Sequence, residues 1–401
     1  MYPLNMKTPI LNEQKSQAGL HAWLAVIAVA LAIFIVVSVE MLPIGLLTPI
    51  AKSMQQQLGS MSLIVSTPSL VAAITAPCVI LVFNRITCRK LILLFMLLLF
   101  ISTLVFAMAN AFHWLLLARV LFGISMGGIW SLAGSIAVRL VPTAQVGLAT
   151  SLIFSGVAAA SVLGVPMGVY LGDLFGWRMA FISISMLVAI VFLMLFWSLP
   201  PLTVQQTSTW RDTLVVLKKT NIVVGLGMTL FIVTGHFSAY TFIRPLLQEM
   251  AHFSDSSIGA LLLIYGVFGI LGNFILGFSI QKFLWQTLFI IALLLGSTLF
   301  LFMFFGDSKF LSLVLLLIWG LSYGGVSISL MTWMIRSAPM HIELASALNI
   351  TMFNLSIGLG AFLGGLIFDA FGSGLNLFFG SVLACIAAIL IFINHNKNPL
   401  K

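Results

Sequence analysis

Charged residues are scarce in this sequence. Lys, Arg, Asp and Glu make up 7% of the 401 residues, whereas a soluble domain has about 25%. Apolar residues reach 61% and lie in long continuous runs. This pattern excludes a soluble globular protein and a membrane β-barrel, whose strands give short alternating segments. The composition predicts an all-α protein that crosses the membrane many times.

Several chemical motifs are absent as well. No GxxxxGK[ST] loop for ATP, no nucleophile elbow and no HExxH pair occurs. The three cysteines, Cys78, Cys88 and Cys385, lie in or beside apolar runs, and their spacing fits neither a disulfide framework nor a metal site. The net charge of +9 comes from basic residues placed between the apolar runs, which argues against nucleic-acid binding. We therefore expect no enzyme, metal or cofactor, and energy from an ion gradient.

Twelve apolar runs predict twelve transmembrane helices. They cover residues 22–49, 61–83, 91–108, 114–138, 146–171, 179–198, 222–248, 258–280, 286–305, 310–335, 344–368 and 375–393. The longest polar stretch between runs, 199–221, divides the chain into an N-terminal bundle, 1–198, and a C-terminal bundle, 222–401. We expect two six-helix bundles joined by a cytoplasmic linker.

The basic residues indicate the orientation. With the N-terminus in the cytoplasm, most Lys and Arg residues fall on the cytoplasmic side, as the positive-inside rule requires. These residues are Lys7, Lys15, Arg85, Arg89, Lys90, Arg139, Arg211, Lys218, Lys219, Lys282, Arg336, Lys397 and Lys401. We predict a protein of the bacterial cytoplasmic membrane with both termini cytoplasmic, and we expect it to act as a monomer.

The two halves repeat each other. FGISMGG at 122–128, with Arg139 and Pro142 after it, returns 197 residues later as WGLSYGG at 319–325, with Arg336 and Pro339. A weaker repeat at an offset of 196 places Glu40 opposite His236. A duplicated six-helix unit is the plan of many secondary transporters, whose substrate site lies between the halves at mid-membrane.

Glu40 is the only formal charge in the run from 22 to 51. A carboxylate inside a membrane helix costs about 2.5–3.5 kcal/mol on insertion scales, so such a group is most often functional. An acid that holds its proton away from water and releases it when a water path opens can carry protons. The alternative is a partly wetted structural acid near the outer end of the helix, beside Pro43.

Four stretches of the sequence resemble a known family. LLLARVLFGISMGG and GVPMGVYLGDLFGW resemble the fourth- and fifth-span motifs of the major facilitator superfamily, in its twelve-span proton-driven efflux branch. The resemblance implies that Arg119 takes part in proton coupling and that the glycines and proline of the fifth span mark an antiporter. VEMLPIGLLTPIA and TGHFSAYTFIRPLLQEM are similar to the first and seventh spans of bacterial sugar-efflux transporters. The loop VFNRITCRK departs from the superfamily at Asn84 and Thr87, where an acid and a glycine are expected.

The candidate site residues fall into two groups. Glu40, Arg119 and His236 are predicted to couple protons, since a fixed positive charge favours release of a proton from a neighbouring acid. Arg119 could instead be an interfacial side chain, and His236 a neutral hydrogen-bond partner. His236, Tyr240 and Arg244 share one helix face by their spacing, and we expect that face to line the cavity. The predicted substrate-binding residues are Trp130, His236, Tyr240, Arg244, Asn273, Tyr323, Asn349 and Asn354.

These observations lead to one functional hypothesis with open alternatives. We expect a proton-coupled antiporter that exports a small neutral solute such as a sugar. The same machine could export amphipathic drugs or purine nucleosides, because a cavity rich in Phe and Met adapts to many shapes. Uptake by proton symport, and a receptor or enzyme that transports nothing, are further alternatives.

Overall fold

The computed structural model describes residues 19–82, 86–142, 145–201 and 210–397. Long helices dominate both halves. In the N-terminal half, the first to sixth spans are Leu20–Gly45, Leu63–Val82, Cys88–Met108, Phe112–Leu140, Val146–Phe175 and Trp177–Ser198. In the C-terminal half, the seventh to tenth spans are Thr220–Tyr240, Asp255–Ser279, Leu284–Phe305 and Lys309–Ser337, and helix Ile342–Lys397 follows them. Short helices cover Leu47–Met54, Leu58–Met61, Trp210–Leu217 and Ile243–Glu249.

The last helix is two spans. Its 56 residues would measure about 84 Å if straight, almost three times the hydrocarbon thickness of about 30 Å. Gly372 interrupts it with φ 79° and ψ −176°, a backbone conformation that residues other than glycine rarely adopt. The eleven apolar segments of the described chain thus become twelve spans, which confirms the predicted all-α fold.

The backbone repeats along with the sequence. A non-helical residue precedes the short helix after each of two spans. Leu46 (φ −112°, ψ 14°) lies between the first span and Leu47–Met54, and Phe242 (φ −105°, ψ 19°), 196 residues later, lies between the seventh span and Ile243–Glu249. Gly372, between the eleventh and twelfth spans, has its counterpart in Gly176 (φ 88°), between the fifth and sixth. Since these breaks recur at the offset found in the sequence, the two six-helix bundles are pseudo-symmetric.

We call the membrane face that carries residues 46–62 the first-loop face, and the face that carries residues 20 and 397 the terminal face. Near the first-loop face the first span is buried on all sides from 35 to 47, except at Met41, and the seventh from 232 to 247. An amphipathic helix would expose one side; burial all round means that both halves pack around these two spans.

Side-chain hydrogen bonds between the halves lie at the same face. Within the described residues they join Thr48 to Gln248, Gly59 to Asp369, and Arg244 to both Gly45 and Asp173. All of these residues follow the end of an odd-numbered span or lie close to it. The structure is therefore closed at the first-loop face.

The expected division at 198 and 221 stays a prediction, because residues 202–209 of the linker lie outside the described chain. Asn84 lies outside it too. Thr87, by contrast, begins the third span as its N-cap, since its hydroxyl accepts a hydrogen bond from the Lys90 backbone N–H. That cap gives the threonine a local structural role.

Candidate functional site: a buried acid, a buried arginine and a ring column

Proline in the first span creates the partner that Arg119 uses. Pro43 has no N–H, so the Val39 carbonyl, four residues earlier, has no donor within the helix. Arg119 Nη1 donates to that carbonyl oxygen at 3.0 Å. The fourth span thereby supplies the hydrogen bond that Pro43 cannot make within the first span. Arg119 is 1% exposed, so the alternative, in which Arg119 is an interfacial side chain, is wrong.

Aromatic rings surround the same guanidinium. Its central carbon lies 4.5 Å from the ring centre of Phe106, 5.3 Å from that of Phe122 and 5.7 Å from that of Phe181. Cation–π contacts of this kind contribute about 2 kcal/mol or more when desolvated. They let a charge remain in an apolar bundle, with Nε and Nη2 still free of hydrogen-bond partners.

Glu40 lies one residue after the carbonyl that Arg119 binds, and it is 6% exposed. The carboxylate and the guanidinium act on each other electrostatically. They nevertheless make no direct ion pair in the described structure, and carboxylate Oε1 has no donor. The site thus holds an acid with unused hydrogen-bonding capacity beside a cation with unused donors.

The facing half contributes a column of four stacked rings, Tyr323, His236, Tyr240 and Tyr265, which we call the ring column. The ring centres of Tyr323 and His236 are 3.4 Å apart, those of His236 and Tyr240 4.9 Å, and those of Tyr240 and Tyr265 5.0 Å. Neighbouring rings are within 28° of parallel. Three of the five tyrosines in the chain belong to this column, on the seventh, eighth and tenth spans.

Trp319 fixes the protonation pattern of His236. Its indole Nε1–H donates to His236 Nδ1 at 2.9 Å. A nitrogen that accepts a hydrogen bond carries no proton, so His236 is neutral in this arrangement and carries its hydrogen on Nε2. His236 can then donate one hydrogen bond from Nε2. Protonation of Nδ1 would first require breaking the bond to Trp319.

Arg244 belongs to a different group of residues. Its Nη1 donates to the Gly45 carbonyl at 2.8 Å, and its Nη2 lies 2.9 Å from Asp173 Oδ1 and 3.2 Å from Asp255 Oδ1. Asp173 lies in the other half, whereas Asp255 begins the eighth span of the same half. We call Arg244, Asp173 and Gly45 the latch. The guanidinium is thus bonded both to the other half and to its own, apart from the rings of His236 and Tyr240. A role for Arg244 in substrate binding stays a prediction.

The remaining four predicted residues have other surroundings. Asn349 accepts a hydrogen bond from Thr229 within the C-terminal half, and Asn354 donates to a carbonyl of its own helix. Asn273 is exposed, and Trp130 packs against Phe154 in the N-terminal half with ring centres 6.2 Å apart. Substrate binding at these four positions stays a prediction.

Tyr265 of the ring column, and Trp319, which donates to His236, were not predicted as site residues. Spans eight and ten approach closely at Gly320, where a Cβ atom would lie 2.6 Å from the Tyr265 carbonyl oxygen. That close approach brings both residues beside Tyr240. Glycines in the eighth and tenth spans are typical of helices that pack closely, but they do not indicate which rings meet.

Comparisons with known proteins agree with this architecture. The family model described as Major Facilitator Superfamily matches residues 29–343. A purine ribonucleoside efflux pump, NepI, from Shigella sonnei is 29% identical over 92% of this chain and 93% of its own length. NepI from Escherichia coli K12 is 28% identical over the same shares.

Solved structures share the fold. A bacterial homologue of the human lysosomal transporter Spinster, in an inward-facing, unoccupied conformation, superposes with a TM-score of 0.73 at 16% identity, covering 94% of this chain and 97% of that one. The human organic anion transporter MFSD10 gives a TM-score of 0.64 at 18% identity, covering 92% and 98%. The family match, the twelve spans and the repeated halves lead to one conclusion: this chain is a membrane transporter of the Major Facilitator Superfamily.

Proposed function

We propose that this transporter exports a purine ribonucleoside in exchange for protons. The observation that carries the proposal is the ring column of the C-terminal half, whose terminal ring, Tyr323, is close enough to the buried Glu40 of the N-terminal half to interact with it electrostatically. Stacked aromatic side chains are the common protein surface for a nucleic-acid base. The NepI pumps, which match over more than 90% of both chains, support the same substrate class.

The sugar expected from the first and seventh spans has less support. None of the reported relatives is named for the transport of a free sugar, and one of the amides predicted to bind hydroxyl groups, Asn349, already accepts a hydrogen bond from Thr229. Amphipathic drugs remain a second candidate, because the same rings would accept other planar molecules.

Glu40 is the proposed proton carrier and Arg119 its regulator. With Oε1 free and Arg119 Nη2 free, the two can pair directly when the carboxyl group is ionised. A protonated Glu40 needs no such partner, so gain and loss of the proton would change the contacts of the first span. His236 is the weaker proton candidate, because its Nδ1 already accepts from Trp319. We assign it to ligand contact.

The proposed cycle uses the two halves, 1–198 and 222–401, as rocking bodies joined by the linker 199–221. With the termini in the cytoplasm, the first-loop face is the outer one, and the described conformation is closed to the outside. The nucleoside enters from the cytoplasm, the latch opens, and the nucleoside leaves as Glu40 takes a proton.

Inverted membrane vesicles test this proposal. When the vesicle lumen is made acidic, labelled adenosine or guanosine should accumulate inside, and collapse of the gradient with a protonophore should release it. Vesicles without the protein give the background. Accumulation of a labelled sugar, with none of the nucleosides, would show that the substrate is a sugar. If the proton gradient drives no accumulation at all, proton-driven export is contradicted.

A further inference from the structure

The ring column has one open end. Tyr265, Tyr240 and His236 are buried, at 8%, 9% and 1% exposure, whereas Tyr323 is half-buried. Within the described residues, His236 stacks on one face of the Tyr323 ring, and the other aromatic neighbour, Phe237, meets it edge-on at 6.1 Å. The second face of Tyr323 therefore has no ring stacked on it.

That end of the column lies near the boundary between the halves. Tyr323 belongs to the tenth span, and the Glu40 carboxyl group of the first span is close enough to act on it electrostatically. A ligand stacked on the second face of Tyr323 would consequently lie close to a group from each half. This is the location expected for a substrate in a duplicated transporter.

The column is also held rigidly. The bond from Trp319 to His236 fixes the imidazole, and Tyr323 lies within 9° of parallel to it. A rigid stack presents its terminal face without losing conformational freedom when a ligand binds. Tyr323 lies directly before Gly324, whose missing side chain lets the tenth span touch the eighth: a Cβ there would be 1.9 Å from the Gly269 carbonyl oxygen. Packing of the backbone thus fixes where the ring begins.

We propose that the face of Tyr323 without a stacked ring is the base-binding subsite of this transporter, where the purine becomes the fifth ring of the column. This inference rests on the proposed function and adds the residue that selects a planar aromatic base. It implies that the base, more than the ribose, supplies affinity, and that the Tyr323 ring matters while its hydroxyl does not.

Binding of a fluorescent purine nucleoside tests the subsite. The probe is 1,N6-ethenoadenosine, and the sample is the full-length chain in detergent or nanodiscs. Stacking on an aromatic ring supplies much of the affinity for a base, so Tyr323→Leu should weaken binding about tenfold. Tyr323→Phe should bind within about twofold of the unaltered chain. Tyr170→Leu, at an exposed tyrosine of the fifth span, is the matched control and should bind normally.

Competition and quenching give readouts that do not depend on variant folding. In the unaltered protein, bound ethenoadenosine should be quenched by the tyrosine ring, and free adenine should displace it while ribose at the same concentration does not. Displacement by ribose alone, or equal losses in Tyr323→Phe and Tyr323→Leu, would overturn the subsite. If the unaltered protein transports nucleosides but Tyr323→Leu binds them normally, the subsite is wrong and the proposed function survives. If the unaltered protein neither binds nor transports them, both fail.

Discussion

At the scale of single residues, the account depends on how a proline and an acid are placed in the first span. Pro43 leaves one backbone carbonyl without a donor, and Arg119 from the fourth span supplies it. Glu40 lies next to that carbonyl with an unused oxygen. The backbone and the carboxylate therefore offer the same guanidinium two different partners.

A double-mutant cycle tests the proline–arginine pair. Pro43→Ala restores an N–H that can bond Val39 within the helix, so Arg119→Met should destabilise the protein less in that background. The expected coupling is about 1 kcal/mol or more, the size of one hydrogen bond. Unfolding of the four proteins in a denaturing detergent measures it. Equal losses on the two backgrounds would mean that Arg119 does not replace the missing helix bond.

Glu40→Gln tests the proton carrier. The amide cannot ionise, so a pH gradient should no longer drive nucleoside accumulation, while exchange of labelled for unlabelled nucleoside continues. In the unaltered protein, nucleoside binding should weaken as the pH falls, because proton and nucleoside compete for one conformation. In the variant it should be independent of pH. Gradient-driven accumulation that persists in Glu40→Gln would place the proton site elsewhere.

At the scale of helices, the latch and the glycine contacts decide which movements are possible. Arg244 pairs with Asp173 across the halves and with Asp255 within its own half. Opening at the first-loop face must break the first pair but can keep the second. A buried guanidinium thus never has to leave all of its partners at once, which would be expensive.

Cysteine accessibility tests the latch. Ser66→Cys, placed in a chain whose three native cysteines are serine, reports opening, because the Ser66 backbone packs against Gly358 of the other half. Asp173→Asn should speed labelling about fivefold, corresponding to about 1 kcal/mol for a partly exposed pair. Asp255→Asn, the matched change within one half, should leave the rate nearly unchanged. Equal effects of the two variants would show that the latch does not hold the halves together.

A pair of glycines tests the contact between the eighth and tenth spans. Gly324→Ala would place a Cβ atom 1.9 Å from the Gly269 carbonyl oxygen, whereas a Cβ at Gly269 meets nothing closer than 3.7 Å. We expect Gly324→Ala to destabilise the protein by about 2 kcal/mol. Gly269→Ala should be neutral or stabilising by up to about 1 kcal/mol, from its better helix propensity. Thermal unfolding compares the two, and similar melting temperatures would contradict the packing described.

At the scale of the whole molecule, hydropathy and the repeat at 196–197 residues were enough to predict the twelve spans and the pseudo-symmetric halves. Each span buries or exposes a continuous apolar surface, which is a local property of the sequence. The burial of Glu40 was predicted by the same reasoning, since an acid within a transmembrane helix almost always faces the interior of the bundle.

Contacts between distant spans could not be predicted in the same way. Pro43 indicates that the Val39 carbonyl lacks a helical donor, but no feature of the sequence predicts that Arg119 donates to it. Arg244 and Asp173 are 71 residues apart in different halves, and the helical spacing that grouped Arg244 with His236 did not account for the break at Phe242. The ring column was predicted only in part, because Tyr265 joins it through the packing of two helices.

Proton movement coupled to nucleoside efflux is the most direct test of the whole account. Proteoliposomes are loaded with adenosine and a pH-sensitive dye, the membrane potential is clamped with potassium and valinomycin, and the vesicles are diluted into adenosine-free buffer. As adenosine leaves, protons should enter and the lumen should become more acidic, and Glu40→Gln should abolish the acidification. A lumen that becomes more alkaline, or one that keeps its pH while adenosine leaves through the protein, would contradict proton-coupled antiport.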